Sequence, residues 1–516
     1  MTPAAGRGPA VQLVPVGGDL TSIPVATDDT RTDRPRRAPT GSPTGSPTNS
    51  TASQVRLGWL GFGLSMALGL VIGTARFWEV DTWWHLSVGQ HILDTGTLRG
   101  TDAWARFADR PYAATQWLPE AVAAWLVGLV GPGGVVFLRA LSVLTLVTLL
   151  YGLGRLSAGR LTAGLVAVIA LLGAGAGLNP RPQLVSFVLF AVTVIAWWRT
   201  AHDHRPRWWL VGVYWLWACS HGLWSIGLAV NGVLLVALVL DPRTRPDRRA
   251  TVKLAALLAA CTAAVAVTPL GPSLLGTPFQ VAGNAAGIAE EWRATPLNNV
   301  FSLAAMAMVV GTALLWLWTR RRPPVWKAVL LVTAMGLVLM MWRLVPMGSI
   351  VAAPLLADAL GVTGRSPEPR TRTERRVVAI TWAGLVALAA TIALSPVGEQ
   401  AQQFPGDLAG VDRALDRLPA GTVVLDDFAL SGWLINQHPD LVPVADLRVE
   451  IYGADYLRSY LRAERVQPGW EQILDTTGAR YAVLKSDSAL ATALQQRLRW
   501  SVVSSTHDYV LLRADR

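Results

Sequence analysis

From Leu57 onward the chain alternates apolar runs of about 17–22 residues, enough to cross ~30 Å of hydrocarbon as helices, with short polar loops. The runs lie near 57–75, 134–154, 161–178, 183–198, 208–220, 223–240, 252–269, 301–318, 326–342, 345–361 and 377–395. This pattern predicts about eleven crossings. Residues 1–55 ("TDRPRRAPTGSPTGSPTNS" among them) have no hydrophobic period and cannot bury enough apolar area to offset the entropy of ordering. They are expected to form a disordered cytoplasmic tail. A signal peptide is not expected, because the first apolar run comes late and many more follow.

After residue 395 the runs shorten to strand length and charges return. "GTVVLDD" (421–427), "LVPVADL" (441–447), "RYAVLK" (480–485), "WSVVSS" (500–505) and "DYVLLRA" (508–514) read as strands. "GADYLRSYLRAER" (453–465), "GWEQILDTTG" (469–478) and "SALATALQQRLR" (488–499) carry helical spacing. Strands alternating with helices predict a small α/β domain over 396–516, behind a membrane domain over 56–395.

Charge assigns the sides. The tail, Arg155 to Arg160, and the stretches 199–207, 241–249, 319–324 and 364–376 are rich in arginine. All fall on one side if the eleven runs cross and "QWLPEAVAAWLVGLVG" (116–131) lies on the outer surface as an interfacial or re-entrant helix. By the positive-inside rule the basic side is cytoplasmic. The loops 76–133 and 270–300, the turns 179–182 and 343–344, and everything after 396 then share the extracytoplasmic face of a bacterial plasma membrane.

Composition sharpens this reading. A chain 52% hydrophobic and only 15% charged, with a mean hydropathy of +0.37, is too apolar for a soluble globular protein. Its net charge of +11 sits in the short loops, so it sets topology and does not point to nucleic acid. Of the aromatic residues 23 are Trp, as expected where rings anchor at membrane interfaces beside lipids. Cys219 and Cys261 both lie in apolar runs, which argues against a disulfide framework or a thiolate metal site.

The chemistry-bearing residues crowd where the first run ends. "EVDTWWH" (79–85) sets Glu79, Asp81 and His85 among tryptophans, at the head of a loop much longer than a connector requires. Solvated loop carboxylates are the plain alternative. His85 follows Asp81 by four, so one helical turn brings them together.

An E-x-D pair after the first span, about eleven spans and an external C-terminal domain resemble the GT-C superfamily of integral-membrane glycosyltransferases. "DTWWHLSVGQHILDTG", "TDAWARFADRPYAATQWLPE", "NPRPQ" (179–183), "WACSHGLW" (217–224), "EEWRATPL" (290–297) and "SGWLINQHPDLVPVADLRVEIY" look like the segments shared by bacterial proteins of this type. The resemblance spans roughly residues 56–516; "TDAWAR" departs from it where Ser is usual.

The resemblance implies transfer of a sugar from a polyprenyl-phosphate donor to a cell-envelope glycan, lipid or protein on the outer face, by inverting direct displacement. Asp81 is then the general base and Glu79 its helper, at a membrane edge where partial desolvation raises a carboxylate toward the working range. Arg343, Arg181, His85 and His221 are the candidates for the donor phosphate, with Arg293 on the same face. Glu291, as the acid of the family's E-W pair, and Asp446 with Arg448 are candidates for the acceptor. Asp446 and Arg448, two apart on an extended chain, point to one side, and an internal ion pair is the competing reading. No tightly bound metal or nucleotide is expected, since the outer face carries no H-x-x-H, cysteine cluster or Walker loop. A divalent cation shared between Asp81 and a phosphate stays open. So do two other classes, a lipid-linked glycan flippase and a non-catalytic scaffold, although spans nearly free of charge argue against a transporter.

Overall fold

Each of the eleven apolar runs forms a helix, and the loops 76–133 and 270–300 add three more. In chain order the helices are α1 (Asn49–Thr74), α2 (Asp81–Thr95), α3 (Trp117–Val130), α4 (Gly133–Gly154), α5 (Arg160–Gly173), α6 (Gln183–Asp203), α7 (Leu210–Ala218), α8 (Trp224–Leu240), α9 (Arg248–Ala266), α10 (Thr277–Ala285), α11 (Val300–Trp318), α12 (Val325–Met340), α13 (Val345–Gly361) and α14 (Arg372–Ala393). The computed structural model describes residues 49–100, 104–285, 290–361, 370–400 and 406–515, with side chains described outside 49–56 and 282–290. The expected tail therefore lies outside the described residues up to 48, as do positions 101–103 of "TDAWAR".

Among the described residues seven helices are long and apolar enough to cross a bilayer: α1, α4, α6, α9, α11, α13 with the turn before it, and α14. α5, α8 and α12 are apolar but shorter. The run at 208–220 yields only the nine residues of α7, about 13 Å of helix, well short of ~30 Å. Beyond it the chain turns, and the buried His221 joins the cluster described below. The 14-residue α3 likewise does not reach across.

Local chemistry sets several helix starts. Asp247 accepts from Ala250 N (2.6 Å), Asn299 from Phe301 N (2.9 Å) and Thr371 from Glu374 N (3.0 Å), each satisfying a free first-turn amide. Packing between helices uses small residues: a Cβ on Gly164 of α5 would lie 2.5 Å from the Gly61 carbonyl carbon of α1. Glu374 fastens α14 to the bundle, accepting from Arg155 Nε (2.7 Å), Tyr151 Oη (3.0 Å) and Arg160 Nε (3.3 Å).

A two-residue hairpin, β1 (Arg99–Gly100) with β2 (Tyr112–Ala113), lies in the first long loop. Beyond α14 come α15 (Pro396–Glu399), α16 (Ala409–Leu415), β3 (Val423–Asp426), α17 (Ser431–Gln437), β4 (Val442–Pro443), α18 (Ala454–Glu464), α19 (Gln472–Thr477), β5 (Tyr481–Lys485), α20 (Ala489–Arg497), β6 (Ser501–Ser505) and β7 (Tyr509–Arg513). All five expected strands join one sheet in the order β4-β3-β5-β7-β6, parallel across β4, β3 and β5 and antiparallel across β5, β7 and β6. Alternate strand residues face opposite ways. Leu425 packs with Tyr460, Ile473 and Leu494 under α18–α20, and Val424 with Val411 and Leu434 under α16 and α17.

This domain sits directly on the first long loop, within one compact unit that runs from Asn49 to Arg516. Trp83 of α2 joins the α16–α17 cluster, while Trp84 packs with Val88, Ile92, Ala114 and Ile435. The two tryptophans are packing residues at a domain junction, not lipid anchors. Trp84 is only 6% exposed, and burying a Trp of ~150–250 Å² at ~25 cal/mol per Å² contributes on the order of 4 kcal/mol.

Candidate active site

The residues at issue come from five separate chain segments, gathered at one end of the bundle by backbone turns. Arg139, a lone arginine in the apolar α4, is buried and donates from Nε to Leu178 O (2.8 Å) and from Nη1 to Ala75 O (2.9 Å). It thereby clamps the chain leaving α1 to the chain leaving α5. Thr82 Oγ1 adds a bond to Pro180 O (3.1 Å). These two contacts bring Glu79 and Asp81 against Arg181, which stands between Pro180 and Pro182 in a turn closed by Arg181 N on Asn179 O (2.8 Å).

Three carboxylates converge on that one guanidinium. Arg181 Nε lies 3.0 Å from Glu79 Oε1, Nη1 donates to Glu291 Oε2 at 2.8 Å, and Nη2 donates to Asp81 Oδ2. Asp81 is the first residue of α2, where the helix dipole favours an anion, and its Oδ1 accepts from Trp84 Nε1 at 3.1 Å. Glu291 continues the network: its Oε1 accepts from Arg343, whose Nη2 donates to His221 Nε2 at 2.9 Å. Arg343 also lies over the Trp292 ring at 5.7 Å.

A guanidinium only donates, so His221 Nε2 must accept and the ring proton belongs on Nδ1, facing Ser186 Oγ at 3.1 Å. Trp217 Nε1 donates to the same hydroxyl (2.7 Å). Burial, then the charges of Arg343, His85 and Arg181, push His221 well below its ordinary pKa, and it stands neutral. For Glu291 burial works upward, but Arg343 and Arg181 outweigh it and hold the carboxyl below the usual range.

Five predicted residues, Glu79, Asp81, Arg181, Glu291 and Arg343, thus form one ionic network, with His221 bound to its far end. His85 is elsewhere than expected: its Nδ1 bonds Glu120 Oε1 at 2.8 Å rather than the Asp81 carboxylate one turn back. Packing decides this, because α2 lies against α3 and Glu120 is buried between them. Arg293 contributes its backbone O to Trp342 N (3.1 Å) and leaves its side chain exposed. Asp446 and Arg448 form a fully buried ion pair, Nη2 to Oδ2 2.6 Å and Nε to Oδ1 3.0 Å, with Tyr452 Oη on the same carboxylate (2.9 Å). Arg448 lies over the Tyr112 ring at 4.9 Å, so the pair joins the C-terminal domain to the first loop.

Sequence reasoning passed over Arg139, Glu120 and Ser186. The first two had a readable signal, a lone charge within an apolar helix; Ser186 had none. The donor set also bears on a metal. Three carboxylates are oxygen ligands of the kind a hard divalent cation takes, but the point on which they converge is filled by the Arg181 guanidinium. Among the described residues no group of His, Cys, Asp and Glu is arranged to hold an ion, and the cluster as folded does not fit one.

The fold is that of a polytopic helical bundle with a long loop after its first helix, an acid pair at the start of that loop and a C-terminal α/β domain docked on it. The chain shares this fold with solved structures. It is similar to the crystal structure of the Archaeoglobus fulgidus oligosaccharyltransferase in the apo form, with TM-score 0.55 and 13% identity over 82% of this chain and 69% of that one. It is also similar to the archaeal oligosaccharyltransferase AglB from the same organism in complex with an inhibitory peptide and a dolichol-phosphate, with TM-score 0.54, 11% identity and the same coverage. ArnT from Cupriavidus metallidurans in the apo state aligns over 90% of this chain and 98% of its own, with 15% identity and TM-score 0.45. No protein-family model matches the sequence, and no curated protein matches it.

Proposed function

We propose that the chain transfers a sugar from a polyprenyl-phosphate donor to a hydroxyl-bearing cell-envelope acceptor, at the extracytoplasmic face of a bacterial plasma membrane. The observation that carries this reading is the convergence of Glu79, Asp81 and Glu291 on Arg181, with Arg343 behind Glu291, at one end of an apolar bundle. Such a surface offers a base and a pair of phosphate-binding forks to a substrate whose lipid stays in the bilayer. AglB, of the same fold, has been solved with dolichol-phosphate.

In this reading Asp81 takes the proton of the acceptor hydroxyl while the oxygen attacks the anomeric carbon. The bond from that carbon to the phosphate oxygen breaks on the opposite face, and the sugar inverts. Glu79, hydrogen-bonded by Asp81 N at 3.3 Å, holds the base in place. Arg181 and Arg343 take the negative charge of the leaving phosphate. Glu291, the anion now bridging both forks, occupies the place that a donor phosphate takes over and is then free to meet the acceptor. His221, fixed as a neutral acceptor, aims the Arg343 fork and adds no charge that would compete with it. Asp446 and Arg448 act on acceptor recognition indirectly, by holding the external domain on the loop.

The test replaces Asp81 with Asn, which preserves shape but cannot accept the proton. Purified protein and variant are given a panel of labelled polyprenyl-phosphate sugars with envelope extract as acceptor. Transfer by the variant should fall about 10²–10⁴-fold. Equal transfer by both removes Asp81 as base, and no transfer by the natural protein from any donor removes the enzymatic reading.

A further inference from the structure

At the end of the bundle away from the carboxylate cluster, α4, α6 and α14 enclose a cavity of about 370 Å³. α4 connects the two places: its Arg139 clamps the chains that lead to the candidate active site, and its Thr145, Thr148, Leu149, Tyr151 and Gly152 line the cavity, about 9–20 Å further along the helix. The cavity walls are apolar, with Leu149, Ile195 and Trp382, and its mouth carries Arg199, Arg370 and Arg375. Glu374 also lines it, but that carboxylate is already bonded by Arg155, Arg160 and Tyr151. Among the described residues the mouth therefore keeps a net positive charge.

The arginines are poorly employed by the protein itself. Among the described residues no hydrogen bond or ion pair engages the side chain of Arg199 or Arg375, and both residues are exposed. Arg370 donates from Nη2 to Gly152 O, yet its Nε is buried without a partner, a state that is costly for a charged donor. α14 presents most of its surface outward, only 11% of its apolar window being buried, so the cavity borders on lipid.

We infer that this cavity is a binding site for an anionic phospholipid of the leaflet opposite the active site, with one acyl chain between α4, α6 and α14 and the headgroup phosphate among Arg199, Arg370 and Arg375. Apolar walls at bilayer depth beneath a ring of arginines suit a lipid rather than a soluble anion, and basic pockets between spans are where anionic headgroups settle. That the leaflet is cytoplasmic rests on the orientation proposed above; the site itself does not.

The full chain, purified in detergent, is titrated with phosphatidylglycerol or phosphatidylcholine and examined by native mass spectrometry. Phosphatidylglycerol should be retained in preference to phosphatidylcholine. Arg199→Gln and Arg375→Gln should each weaken that retention about fivefold, as expected for one surface arginine, leaving phosphatidylcholine unchanged. Ala379→Phe, which narrows the cavity and leaves every charge in place, should weaken it too. Equal retention of both lipids by the natural protein overturns the inference, as does displacement of phosphatidylglycerol by millimolar inorganic phosphate or full retention by the arginine variants. Because the readout is lipid retention in detergent, its failure is distinguishable from loss of sugar transfer.

Discussion

At the scale of single residues the site depends on Arg181, which balances three carboxylates with a side chain only 19% exposed. Removing one partner of a buried ionic cluster destabilises by ~3–5 kcal/mol, and here it also leaves like charges together. Arg181→Gln should therefore lower thermal stability clearly and abolish transfer. The cluster's pH dependence differs between the two proteins. In the natural protein Glu291 titrates below the usual carboxylate range, so its contribution is complete above ~4.3 and is lost only as pH falls through the lower folded value. Between pH 7 and 5 that contribution should barely change. In the variant, crowded acids bind protons more readily when folded than when unfolded, so stability should rise over that same interval. Thermal unfolding in detergent at the two pH values checks the difference: the gap in stability between the natural protein and the variant should narrow from pH 7 to 5, and a parallel response of the two proteins counts against the cluster.

At the scale of elements the question is what holds α2 in register, since it carries Asp81 at its first position and begins two residues after Glu79. α2 lies between α3 and α17. A Cβ on Gly89 would come 2.1 Å from Glu120 O, and one on Gly432 2.7 Å from Val80 O. Asn436 Nδ2 also bonds Ser87 Oγ (2.9 Å). Gly89→Val should push α2 off α3, destabilise by about 1–3 kcal/mol as overpacking does, and reduce transfer although no charged group changes. Gly128→Ala, on α3 where nothing lies within 4 Å, is the control and should be neutral or slightly stabilising. Melting temperatures and initial rates of the two variants side by side decide the matter.

At the scale of the whole molecule the orientation remains a proposal with a direct test. Cys219 and Cys261 are buried, so an introduced cysteine gives the only accessible thiol among the described residues. Val503→Cys, on the exposed face of β6, should react with a membrane-impermeant maleimide in intact cells, and Arg243→Cys, in the loop before α9, only after lysis. The reverse pattern inverts the topology and moves the candidate active site to the cytoplasm.

The sequence by itself determined the class of the molecule, because burial in a bilayer and burial in a sheet impose different lengths and periods. The long apolar runs became helices, and the five short β-rich runs became the five strands of one sheet. It also supplied the six residues of the ionic network and its His221 end, since charges are rare enough in this chain that those beside the spans stand out. Tertiary structure alone decided which charges meet. The i,i+4 spacing of Asp81 and His85 suggested a pair, but α3 placed Glu120 against His85 and the 178–182 turn placed Arg181 against Asp81. The same holds for α7, which ends at a buried turn, and for Trp83 and Trp84, whose amphipathic rings suit a membrane interface as well as a domain junction. Local pattern specifies how a segment can be buried; which partner buries it depends on contacts between residues far apart in the chain, and no period along the chain records those.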